Sequence, residues 1–135
     1  MILNKEKQEV ADLIYGYSGE EKDAVMFGLA YAIITKYFKN DVQDAKMKLK
    51  NISYEVNEIA IIDRPKFEIL LNGLYNINTG RFTNLEIDYA RPTILDMLNI
   101  TNNISKNYID AGEKFPSLVD LAYNKGKLLE LTDED

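Results

Sequence analysis

Residues 24–34, AVMFGLAYAII, form an eleven-residue run without a charged or strongly polar side chain. The run is too short to cross a membrane as a helix, which takes about 20 apolar residues. It also lacks the strongly polar face of helices that lie on a membrane surface. Because apolar residues occupy every direction around this helix, we expect it to be the buried central helix of the fold, at about residues 19–38.

Small residues recur at every fourth position of this helix, at Ala24, Gly28 and Ala32. Such a stripe carries almost no side chain, so a second helix can approach it closely. We therefore predict the closest helix–helix contact of the fold here, and severe destabilisation by Gly28→Leu through overpacking. The alternative is that one face of this helix is shared with a second copy of the chain, which would make the protein an obligate homodimer.

Helical spacing dominates the rest of the sequence, and no stretch alternates convincingly like a β-strand. We predict a first helix at about residues 4–16 and an amphipathic helix that follows Asn40. The apolar seam of this second helix has spacings of three and four, and it comprises Val42, Ala45, Leu49, Ile52, Val56 and Ile59. A further helix begins at Asp63-Arg64-Pro65 and is closed by the turn-forming segment 76–80.

Two sites have the spacing of a capping box, in which a Ser or Thr and a Glu three residues later satisfy each other's free backbone N–H groups. They are Ser18 with Glu21, and Thr83 with Glu86. Pro92 lies too deep for an uninterrupted helix, so either one helix ends near residue 90 and another begins at Pro92, or a single helix kinks there; we favour the break. A last helix is predicted after Pro116.

These elements predict an all-α fold, a single compact bundle of five to seven helices. The chain has 135 residues, the size of one domain, so we assign residues 1–135 to it and expect residues 132–135 to be a frayed acidic tail. The start, MILNKEKQEV, lacks a basic region followed by an apolar one, so we expect no signal peptide. With no cysteine in the chain, this favours a cytoplasmic location without membrane contact.

The chain has neither histidine nor cysteine, which excludes a Ser-His-Asp triad, a cysteine nucleophile and thiolate metal sites. We expect no cofactor. Carboxylates spaced by three residues are candidates for binding a divalent metal; they are Glu6, Glu9, Asp12, Glu55 and Glu58. Their alternative interpretation is a solvated helix face.

Five lysines and two aspartates lie between Lys36 and Lys50, in a chain whose net charge is −6. Lysines beside tyrosines are candidates for binding a partner; the residues are Lys46, Lys48, Lys50, Tyr37 and Tyr54. An acidic chain is repelled by nucleic-acid phosphate, and this segment contains no arginine. We therefore favour a solvated face or a docking surface for an acidic protein over a nucleic-acid site.

The leading functional hypothesis is a small acidic cytoplasmic protein-binding module, such as a regulator, inhibitor, immunity or assembly factor of the kind that phages and mobile elements carry. It would act by contact with another protein, without catalysis. One alternative is a Mg-dependent all-helical nucleotide hydrolase that uses helix-borne carboxylates. Another is a weak nucleic-acid binder that uses the Lys36–Lys50 segment.

Overall fold

The structure, a computed structural model, describes residues 5–80 and 84–113. These residues form five α-helices and no strand, which confirms the all-α bundle. The helices are α1 (Lys5–Tyr15), α2 (Gly19–Tyr37), α3 (Ala45–Ile59), α4 (Arg64–Thr79) and α5 (Asn84–Asp110). The predicted last helix after Pro116 and the acidic tail lie outside the described residues. Within the described ranges, no helix is both long and apolar enough to span a membrane.

Helix α2 packs against α1, α4 and α5, and α4 likewise packs against three helices, α2, α3 and α5. The residues of α2 from Ala24 to Ala30 are all buried, and so are Ala32, Ile33 and Ile34. The run of residues 24–34 therefore lies in the protein's own core except at Tyr31, which is 41% exposed, so the prediction of a helix buried on every side holds for all but this one position. That the stripe at Ala24, Gly28 and Ala32 makes the closest helix contact stays a prediction, as does the homodimer built on this helix.

A close helix approach occurs between α4 and α5, at Gly73. A Cβ atom added to Gly73 would lie 2.7 Å from Cδ1 of Ile94 and 2.8 Å from Cβ of Ala90. Such distances are far shorter than a carbon–carbon contact, which is about 3.5–4.0 Å. Glycine is therefore needed at this position for α4 and α5 to pack as they do.

Helix α4 follows its sequence signals closely, whereas α3 begins at Ala45 and not directly after Asn40, so Val42 lies before the helix. The seam of α3 is buried from Ala45 to Ile59, and Val42 packs against the same core. Asp63 caps α4, since its Oδ1 atom accepts the backbone N–H of Lys66 at 3.1 Å. The helix ends at Gly80, whose φ of 70° is the left-handed conformation that glycine adopts most readily.

The capping box predicted at Ser18 and Glu21 does not form. Ser18 is the N-cap of α2, but its side chain makes no capping hydrogen bond. Glu21 instead accepts a hydrogen bond from the hydroxyl of Tyr108 on α5, at 3.0 Å. A contact between distant helices thus occupies the carboxylate that local spacing assigned to the cap. For the second box, Thr83 and the side chain of Glu86 lie outside the described residues.

The break expected at Pro92 is wrong, because α5 continues through Pro92 over 27 residues. Pro92 is exposed, so the backbone carbonyl that loses its N–H partner lies on the solvent side, where water can bind it. The opposite side of α5 buries Ala90, Met97 and Ile104 against the core. This burial on both sides of the proline keeps the helix continuous.

Tyrosine hydroxyls fix two of the connections between helices. The Tyr75 hydroxyl accepts the backbone N–H of Val42 at 3.1 Å, before α3 begins. The Tyr15 hydroxyl accepts the N–H of Ile61 at 3.0 Å, between α3 and α4. Lys22 donates to the carbonyl of the same Ile61 at 2.8 Å. The two bonds to Ile61 join α1 and α2 to the connection between α3 and α4. The bond from Val42 joins α4 to the connection between α2 and α3.

Candidate binding surface

The outer side of α3 exposes two large side chains, one on each of two turns. The exposed fraction is 65% for Met47 and 47% for Tyr54. They are seven residues apart and therefore lie on the same side of the helix, away from the buried seam. Methionine and tyrosine are among the residue types enriched in protein interfaces, so this side of α3 is a candidate binding surface.

The three predicted lysines of α3 divide between two sides of the helix. Lys46 and Lys50 are four residues apart and share one side. Lys48 is offset by two residues from each of them, so it lies on another side of α3 and is half-buried. The structure therefore brings Lys46 and Lys50 together with Tyr54, and it separates Lys48 from them.

Tyr37, the other tyrosine predicted to bind a partner, does not lie on α3 with Lys46, Lys50 and Tyr54. It is the last residue of α2, it is half-buried, and it packs against the main hydrophobic core. The Lys36 ammonium lies 5.9 Å from the centre of its ring. Tyr37 therefore combines a structural role with a local cation–π contact.

Arg64, the first residue of α4, adds a third cation beside Tyr54. Its guanidinium lies 4.3 Å from the centre of the Tyr54 ring, within cation–π range. One guanidinium nitrogen also donates to the carboxylate of Glu68 and to the hydroxyl of Ser53. Arg64 is thereby held in one orientation against the ring.

Ser53 is the buried support of this arrangement. It is fully buried, and its hydroxyl donates to the carbonyl of Lys50 at 2.6 Å while accepting from Arg64 at 3.1 Å. Pairing of Arg64 with a carboxylate is visible in the sequence as the i, i+4 spacing to Glu68. Its contact with Tyr54 is not visible there, because it depends on how α4 packs against α3.

We define the α3 surface as Lys46, Met47, Lys50, Tyr54 and Arg64. It combines two exposed apolar side chains with three cations, of which Arg64 is paired with Glu68. Glu58, which is exposed, lies four residues after Tyr54 on the same side, so the three cations exceed the two neighbouring carboxylates, Glu58 and Glu68, by one charge in a chain whose net charge is −6. The α3 surface can attract an acidic molecule while contributing apolar contact area.

The candidate metal ligands do not form a binding cluster in the described part of the chain. No group of three or more Asp or Glu residues that could hold a metal ion occurs among the described residues. Asp12 is exposed and accepts a hydrogen bond from Gln8 at 3.0 Å. Glu55 and Glu58 share α3, with Glu55 half-buried and Glu58 exposed. The side chains of Glu6 and Glu9 are not among those that the structure describes.

Comparisons of this chain with protein-family models, with curated proteins and with solved structures find no match.

Proposed function

We propose that this protein is a non-catalytic binding module that acts by protein–protein contact, and that the α3 surface binds an acidic segment of its partner. The observation that supports this proposal is the Tyr54 ring, half-exposed beside Met47, with the Arg64 guanidinium held against it. Aromatic, methionine and arginine side chains together are typical of interface centres.

The charges of the α3 surface support an acidic partner. Lys46 and Lys50 follow one side of α3 towards Arg64, so a carboxylate-bearing segment lying along the helix would meet successive cations. Met47 and Tyr54 would supply the apolar contacts that ion pairs at a solvated surface do not provide. A regulator, inhibitor, immunity or assembly factor would work in this way. A cytoplasmic location belongs to the same proposal, in keeping with a chain that has no cysteine.

The proposal can be tested with defined peptides. We would titrate the protein with a panel of amphipathic peptides that carry Asp and Glu beside Leu or Phe, using fluorescence anisotropy and backbone NMR. We expect binding to shift the resonances of α3 and of the start of α4. Lys50→Glu and Tyr54→Ala should each weaken binding on the order of tenfold, which corresponds to about 1.4 kcal/mol.

Lys48→Glu is the matched control, because it makes the same charge change on the same helix but on a different side. It should change the affinity less than about twofold. Equal effects of Lys48→Glu and Lys50→Glu would show that only net charge matters and would contradict the assigned surface. Binding of a single-stranded oligonucleotide with steep salt dependence, without peptide binding, would replace this proposal by the nucleic-acid alternative.

A further inference from the structure

Helix α5 carries a second exposed apolar surface, distinct from the α3 surface. Leu95, Leu98 and Ile109 have exposed fractions of 51%, 40% and 71%. Asn102 lies between Leu98 and Ile109. The four residues follow one another at spacings of three, four and seven, which places them on one side of the helix. Arg91 lies on the same side, four residues before Leu95. We call Arg91, Leu95, Leu98, Asn102 and Ile109 the α5 stripe.

The α5 stripe is separate from the side of α5 that the bundle buries. Ala90, Met97 and Ile104 lie on that buried side, where α5 packs against α2 and α4. The apolar residues of the stripe belong to neither of the two hydrophobic clusters formed by the described residues. Aligned exposed leucine and isoleucine side chains of this kind are typical of a contact with another helix.

From the charges at the two ends of the stripe, we propose that its occupant is a second copy of this chain, packed antiparallel through α5. The beginning of the stripe carries Arg91, whereas its end carries Lys106 together with Asp110 and Glu113, a net charge of −1, and all four residues are exposed. An antiparallel pair places the cationic end of each copy beside the acidic end of the other. A parallel pair would place like charges together and would also align the two helix dipoles unfavourably.

Asn102 lies at the centre of this arrangement. If the two copies are related by a twofold axis through Asn102, then Leu95 of one copy meets Ile109 of the other. A single polar residue in an apolar helix seam is known to fix register and orientation, and the two Asn102 amides can hydrogen-bond to each other. A contact between single helices is smaller than the standard interface of about 1,600 Å², so the dimer is weak.

The association can be measured by sedimentation velocity over a concentration series up to about 1 mM, the range of weak complexes. We expect a monomer–dimer equilibrium, with Leu95→Glu and Arg91→Glu each raising the dissociation constant on the order of tenfold or more. Asn103→Glu is the control: it is also exposed but lies about 100° around the helix from Asn102. It should change the dissociation constant less than about twofold.

The orientation is tested by crosslinking, which is clean because the chain has no native cysteine. Under oxidising conditions, Asn102→Cys should form a disulfide-linked dimer. Leu95→Cys alone should not, since antiparallel copies separate the two sites by roughly 21 Å along the axis. A mixture of Leu95→Cys and Ile109→Cys should crosslink.

Three results would overturn the proposal: a monomer throughout the concentration range, a dimer that Leu95→Glu leaves unchanged, or self-crosslinking of Leu95→Cys. The first result would mean that the stripe is covered by something other than a second copy. The second would place the contact on another face, and the third would show a parallel pair. None of these results bears on the α3 surface, which is tested separately with peptides.

Discussion

Gly73 shows how a single residue sets the distance between two helices. In Gly73→Ala, the added methyl group would overlap the Ala90 Cβ atom, which cannot move unless the α5 backbone moves. The second overlap, with Ile94 Cδ1, involves the end of a flexible side chain and can be relieved more easily. We expect Gly73→Ala to lower the free energy of unfolding by about 1–3 kcal/mol.

Urea denaturation of Gly73→Ala and of the parent checks this expectation. Asn78→Ala, at an exposed position of the same helix, is the control and should stay within about 0.5 kcal/mol. A Gly73→Ala variant as stable as the parent would show that α4 and α5 can move apart at no cost.

Tyr108 and Glu21 connect α5 to α2 through one hydrogen bond, and this bond depends on pH. The bond to Glu21, with partial burial and the negative charge of Glu21, raises the pKa of the Tyr108 phenol above its ordinary value of 10.0. Below this value the phenol is protonated in both folded and unfolded chains, so the bond is fully present. Above it, the unfolded chain releases the proton first, and stability is lost as the pH rises through the folded pKa.

Tyr108→Phe should therefore reduce the alkaline loss of stability. We would compare the free energy of unfolding of Tyr108→Phe and the parent at about pH 9 and about pH 11. The parent should lose more stability over this interval than Tyr108→Phe does, because the variant lacks the titrating hydroxyl. Parallel losses in the two proteins would contradict a raised pKa at Tyr108.

At the scale of the helices, the two N-caps of α2 and α4 offer a direct comparison. Asp63 makes a side-chain capping bond and Ser18 does not. We expect Asp63→Ala to cost about 1 kcal/mol of stability. Ser18→Ala should cost less than about 0.5 kcal/mol, since the Ser18 carbonyl still accepts from Glu21 and Lys22. Thermal or urea unfolding of both variants measures the difference, and a larger loss for Ser18→Ala would reverse this assignment.

The predictions were correct where they depended on residues close together in the sequence, and wrong where contacts between distant helices intervened. The seam of α3, the start of α4 and the burial of α2 follow from periodicity and turn chemistry, and the structure confirms them. The break at Pro92 was wrong because burial of Met97 and Ile104 in the core outweighs one lost hydrogen bond. Glu21 has a partner 87 residues away, which no local pattern can show.

The candidate surface was only partly predictable for the same reason. Helical spacing alone places Lys46 and Lys50 together and Lys48 elsewhere, and it groups Met47 with Tyr54. The contribution of Arg64 depends on the packing of α4 against α3, and Gly73 allows a close approach that no small-residue spacing announces. Contacts between helices therefore determine that Arg64 joins the surface and that α4 and α5 approach closely, and the amphipathic pattern of a single helix shows neither.

For the whole molecule, the net charge of −6 makes the two proposed contacts respond to salt in opposite directions. Binding of an acidic peptide to the α3 surface is an attraction between opposite charges, so salt should weaken it. The attraction of Arg91 for the acidic end of the partner sets the orientation of the pair, but each copy also carries a net charge of −6, and we expect the repulsion between the whole chains to exceed this local attraction. Salt should therefore strengthen the dimer.

The measurement is a pair of titrations at about 0.01 M and about 0.15 M salt, between which the screening length falls from roughly 30 Å to roughly 8 Å. The dissociation constant for the acidic peptide should rise, and that for the dimer, from sedimentation, should fall. The Lys50→Glu variant should lose most of the salt dependence of peptide binding while keeping that of the dimer. If added salt raised both dissociation constants, or lowered both, then attraction or repulsion between charges would have been assigned wrongly to one of the two contacts.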